Sequence, residues 1–240
     1  MKDLRVDEVL DQARRASHEV STDLVDRIAG TIASTLAPVR PLPSPWVLAA
    51  GLTLIGVAVA LLGALRAGFQ GFEALGVSAR LVILGTLAAL LVIVARQVVA
   101  AWVPGSRRSV SPAAVLVMIC GALLLVFAAL FHDYRLQHFL SAGLTCLLTG
   151  VLHAIPAGLL GWWLLRRGYA VNGLSAGLLA GIFGGLVGVT TLELHCPNFE
   201  AAHLLLWHTL VVPVSGAVGL LTGLLLRDRS VPDKLPRKSA

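Results

Sequence analysis

Six apolar stretches, at 46–65, 79–102, 112–131, 142–165, 173–192 and 203–226, set the limits on what this chain can fold into. Each is about 20 residues long, the length an α-helix needs to cross the roughly 30 Å hydrocarbon layer of a bilayer. No water reaches backbone groups inside that layer, so each stretch must satisfy its own hydrogen bonds as a helix. The expected fold class is therefore all-α: a polytopic membrane protein, with a bundle of six transmembrane helices over residues 46–226. The composition agrees, since 57 % hydrophobic and 13 % charged residues would leave a water-soluble domain without a polar surface. The N-terminal residues are too polar for a cleaved signal peptide, which makes the first stretch a retained anchor.

The basic residues orient the bundle, because loops on the cytoplasmic side keep Lys and Arg. Lys2, Arg5, Arg14, Arg15, Arg27 and Arg40 precede the first stretch; Arg107 and Arg108 follow the second, Arg166 and Arg167 the fourth, and Arg227, Arg229, Lys234, Arg237 and Lys238 the last. The opposite loops hold only Arg66, Arg80 and Arg135, while Arg96 can snorkel from the second helix. Both termini are thus expected in the cytoplasm, with residues 227–240 a basic C-terminal tail. The net charge of +6 is spent on orientation, and it marks no nucleic-acid site.

Residues 1–37 form a separate amphipathic tail. Val6, Val9, Leu10 and Ala13 recur at helical spacing, and after a Ser21 cap so do Leu24, Ile28, Ile32 and Leu36. Helices this short are marginal alone in water, so something must cover the two stripes. With five basic and seven acidic residues up to Ala37, an anionic leaflet is a poor cover and a protein partner a better one. The Pro-rich segment 38–45 is a stiff, extended spacer into the first membrane helix.

Within the bundle, Gly173, Gly177, Gly181 and Gly185 recur every four residues, and Gly219 and Gly223 repeat the step. Such a groove lets another helix approach closely, and packing inside the bundle is expected of it rather than dimerisation. Trp46, Trp102, Trp162, Trp163 and Trp207 fall mostly near helix ends, as an aromatic belt does. No ionisable residue sits clearly at mid-membrane, which speaks against an ion transporter. No nucleophile–base pair, phosphate loop or HExxH motif is present, so no catalytic residue and no cofactor are expected.

The reactive side chains concentrate on the expected external face. His132, Asp133 and His138 lie in the third loop, and Glu193, His195, Cys196, Glu200 and His203 in or beside the fifth. Cys146 sits about one turn inside the fourth helix and His208 about five residues into the sixth. Three readings apply. Cys146 and Cys196 are a thiol pair sensing oxidant or thiophilic metal; or Cys and His side chains bind a metal such as zinc or copper, although the spacing matches no standard zinc pattern; or the cysteines pack as small hydrophobes and the histidines hydrogen-bond at the interface. Cys120, in mid-helix, is assigned to packing.

Leu194-His195-Cys196-Pro197, then Leu206-Trp207-His208 and a Gly-containing last helix, together with Cys146, Pro156 and Leu164-Leu165-Arg166-Arg167-Gly168, resemble the NrsF-like proteins, negative regulators of sigma F. The segment Pro38-Val39-Arg40-Pro41-Leu42-Pro43 is similar too, and the resemblance runs from Pro38 to Arg227. It implies a six-helix anti-sigma factor of the bacterial inner (cytoplasmic) membrane, without enzymatic activity. Such a protein holds an extracytoplasmic-function sigma factor through its cytoplasmic N-terminal segment and releases it on a signal. The family's cysteine pair falls on Cys146 and Cys196, and Cys120 has no counterpart. The expected sensor residues are then Cys146, Cys196, His195, His203 and His208, and the expected partner-binding residues Val6, Val9, Leu10, Ala13, Leu24, Ile28, Ile32 and Leu36. A small transporter or thiol-redox membrane protein using the same Cys and His residues is the alternative, and a scaffold whose tail docks another cytoplasmic protein a third.

Overall fold

The computed structural model describes residues 22–35, 43–103, 110–136, 138–167 and 173–227. Val6, Val9, Leu10, Ala13, Ser21 and Leu36 of the tail, the spacer up to Leu42 and the C-terminal tail beyond Arg227 lie outside these residues. The described residues fall into two units, divided between Leu42 and Pro43.

The first unit holds α1, Thr22–Thr35. Asp23 and Arg27, four residues apart, form an ion pair on its surface, and Thr31 Oγ1 donates to the Arg27 carbonyl at 2.8 Å. Val25, Ile28 and Ile32 are each about half exposed, at 49 %, 51 % and 52 %, and their spacing puts them on one face. Leu24 also belongs to α1. Ile28 and Ile32 of the expected stripe therefore share a helical face with Val25.

The second unit contains the six expected spans: α2 Pro45–Ala67, α4 Val77–Trp102, α5 Pro112–Leu130, α6 Phe139–Arg167, α7 Gly173–His195, and a last span from Ala201 onward. That last span opens as α8, Ala201–His203, passes through a π turn, Leu204–His208, and continues as α9, Thr209–Arg227. All six are long and apolar enough to cross a membrane, and no described element is a strand. The chain is a helical membrane protein. A short helix, α3 (Gln70–Ala74), interrupts the loop between α2 and α4.

Two spans start with the same local chemistry. Ser44 precedes Pro45 and Ser111 precedes Pro112; each Ser side chain accepts from a backbone N–H three residues on (Val47 at 3.5 Å, Ala114 at 3.2 Å). Proline suits the first helical position because its missing N–H would have had no partner there.

The centre of the bundle is α7, whose spanning window is 78 % buried against 22–39 % for the other five spans. Its glycines are the reason. Cβ atoms at Gly177 and Gly181 would fall on the carbonyl oxygens of Gly219 and Ser215 in α9, and one at Gly188 on that of Gly150 in α6. A Cβ at Gly184 would lie 2.6 Å from the Ala154 carbonyl oxygen. Backbone thus meets backbone on two faces of one helix, and the glycine ladder serves packing within the bundle. Outward, Leu54, Leu81, Val117, Leu125, Leu148 and Leu221 are exposed, an apolar perimeter suited to lipid contact.

Candidate functional site

At the end of the bundle opposite Pro45, three helices bring the reactive side chains together. Cys146 comes from the second turn of α6. Cys196 is the first residue after α7; its N–H still bonds the Leu192 carbonyl at 2.7 Å, and Pro197 stops the helix. His203 and His208 stand at either side of the π turn. In an α-helix residues five apart point about 140° away from each other, whereas the wider π turn, with hydrogen bonds from i to i+5, brings them nearer to one face. Their rings accordingly meet edge to face with centroids 5.2 Å apart.

Cys146 Sγ and Cys196 Sγ are 3.5 Å apart, and Cys196 Sγ is 3.8 Å from His203 Nε2. One donor atom from each of Cys146, Cys196, His203 and His208 lies within 4.8 Å of every other. Cys146 is half-buried and the other three are buried. Cys196 donates or accepts a hydrogen bond with Cys146 and is buried, and both effects push its thiol above the ordinary cysteine range. The four sulfur and imidazole groups form a compact donor set suited to thiol chemistry or to a cation.

Behind this set stands Glu193. The sequence put the end of the fifth span at Leu192 and Glu193 in or beside the loop. The helix instead runs on to His195 and carries Glu193 into the interior, 2 % exposed. His208 Nδ1 donates to its Oε1 at 2.6 Å, which offsets the cost of burying a carboxyl group among apolar helices. Glu193 Oε2, His208 Nε2, His203 Nδ1 and Trp207 Nε1 are buried without a hydrogen-bond partner among the described residues. Buried polar groups are rarely left in that state.

Aromatic rings wall the set. Phe127 meets His208 edge-on at 6.4 Å, Phe131 stacks on Phe199 at 5.7 Å, and the Trp207 indole lies against Gly143, where a Cβ would overlap it. α3 closes the other side: a Cβ at Gly71 would lie 2.6 Å from the Cys196 carbonyl oxygen. Arg80 holds that loop by donating to the Leu75 and Glu73 carbonyls at 2.7 and 2.9 Å.

Of the expected sensor residues, Cys146, Cys196, His203 and His208 are brought together. His195 is not: it points to α3, with Nδ1 3.2 Å from Gln70 Oε1. Asp133 pairs with Arg135, which holds its carboxyl below the usual range, and Glu200 and His138 belong to the loops. His153 lies deeper in α6, bonded to the Thr149 carbonyl at 2.8 Å. Sequence reasoning missed the parts played by Glu193, Trp207 and Gly143; the step from Gly143 to Cys146 along one helical face was the available signal.

No curated protein and no solved structure matches the chain. Residues 32–227 match the model of a family described as NrsF, negative regulator of sigma F. That match covers most of the chain, the whole donor set included, and the chain belongs to the NrsF family.

Proposed function

We propose that this protein is a membrane-bound anti-sigma factor without enzymatic activity. It holds an extracytoplasmic-function sigma factor through its N-terminal tail and releases it on a signal received at Cys146 and Cys196. The family match over residues 32–227 carries the regulator role. The tail assignment is supported by α1, whose Val25 and Ile28 stand on an exposed apolar face, the form in which a helix lies in a partner's groove. The family match supports a bacterial inner-membrane setting, and the distribution of Lys and Arg supports both termini cytoplasmic and the donor set on the far side. A transporter or thiol-redox protein is favoured by one observation, the buried Glu193–His208 pair within membrane helices.

The test is co-purification of the full-length chain, and of a chain lacking residues 1–37, with the extracytoplasmic-function sigma factors of its own genome, the product of any adjacent sigma gene included. The full-length chain is expected to retain the sigma factor and the truncated one to lose it. Recovery with neither would overturn the anti-sigma reading, and recovery with both would move the contact away from the tail. Thiol turnover by the purified chain would support the redox alternative instead.

A further inference from the structure

We propose that Cys146, Cys196, His203 and His208 are the four ligands of one divalent cation of the zinc class, with Glu193 as the residue that positions His208. The size of the cluster fits such an ion. At metal–ligand distances of about 2.3 Å to sulfur and about 2.0–2.1 Å to nitrogen, a tetrahedral site has edges of about 3.8 Å between sulfurs and about 3.5 Å between sulfur and nitrogen. The observed separations, 3.5 Å between the thiols and 3.8 Å from Cys196 to His203, already match, and the remaining pairs need to close from no more than 4.8 Å.

The hydrogen bonds set the same arrangement. Glu193 takes the proton-bearing Nδ1 of His208, which leaves Nε2 as the atom His208 can offer, and that atom is buried without a partner. A carboxylate holding the outer nitrogen of a ligating imidazole fixes both tautomer and ring orientation. The π turn adds the second imidazole by aligning His203 with His208. Charge also balances within the four ligands: two thiols lose their protons to water on binding, and two thiolates with two neutral imidazoles cancel a 2+ ion beside the Phe127 ring. Hard cations are a poor fit, since calcium and magnesium want six or more oxygen ligands. The donors come from three helices, which is why no zinc spacing is visible along the chain. That this cation is the signal rests on the regulator reading above; that the site binds it rests on the geometry alone.

The test uses the reduced, chelator-treated full-length protein in detergent micelles. Titration with Co2+ is expected to give the intense visible bands of a tetrahedral sulfur–nitrogen site at one ion per chain, displaced by Zn2+. X-ray absorption of the Zn2+-loaded wild type is expected to show a shell of two sulfurs and two nitrogens. Glu193→Gln is expected to weaken Co2+ affinity by about 10–100-fold with the tetrahedral bands retained. His203→Gln is expected to weaken it further and change the bands. A shell without nitrogen or without sulfur would overturn the proposal, as would affinity unchanged in both His203→Gln and His208→Gln. None of these readouts involves a sigma factor. Normal cation binding with no effect on sigma retention would therefore overturn the cation as signal and leave the site standing.

Discussion

Glu193 of α7 and His208 of the π turn that leads into α9 form a buried pair, 2.6 Å between Oε1 and Nδ1, with side chains 1 % and 0 % exposed. Removing one partner leaves the other buried and unsatisfied. Glu193→Ala or His208→Leu is expected to destabilise the apo protein by about 3–5 kcal/mol, and the double variant Glu193→Leu with His208→Leu to recover most of the loss. Denaturant unfolding in micelles measures both, and a double variant no better than the single ones would contradict the pairing.

The thiol pair makes a chemical prediction. Bringing Cys146 and Cys196 from 3.5 Å to a bond of about 2.05 Å takes a small side-chain motion. Mild oxidation of the cation-free protein is expected to form this disulfide within the chain, seen as a loss of two thiols by mass spectrometry. Cys146→Ser and Cys196→Ser are each expected to abolish it and to alter the response to oxidant or metal, with membrane insertion intact. Cys120 is expected to take no part.

Glycine substitutions separate close crossings from open ones. At Gly177 a Cβ would fall on the Gly219 carbonyl oxygen, and Gly177→Ala is expected to cost about 1–3 kcal/mol through overpacking. At Gly121 a Cβ meets nothing within 4 Å, so Gly121→Ala is expected to be neutral or to gain about 0.5–1 kcal/mol from helix propensity. Comparison of thermal midpoints in one detergent checks the contrast.

The tail prediction concerns recognition. Val25→Asp or Ile28→Asp places a charge on the exposed apolar face of α1. If that face binds the sigma factor, each loses the burial of one side chain, about 1.5–3 kcal/mol, which weakens capture by about 10–100-fold. Membrane insertion and thermal stability should be unchanged, and equal capture by both variants would move the contact elsewhere.

The six spans were legible because lipid imposes a length and a composition that no loop mimics. Their ends were not. Span four begins at Phe139 rather than 142, and span five ends at His195 rather than 192, because Glu193 looks like a stop until its partner His208 is known. That partner is fifteen residues away along the chain and reaches Glu193 only through tertiary packing. The Ser44-Pro45 and Ser111-Pro112 starts were readable from helix chemistry and went unread. The π turn has no residue signature in Leu204–His208, so the alignment of His203 with His208 was hidden, although both had been singled out. The separation of His195 from the other four was equally hidden, since adjacent residues at a helix end diverge by a third of a turn.

Because α6, α7 and α9 meet at glycines, backbone against backbone, few side chains at those crossings can swap rotamers to absorb a displacement. A side chain added at Gly177, Gly181, Gly184 or Gly188 therefore has a neighbour's main chain, rather than a movable side chain, to push against first.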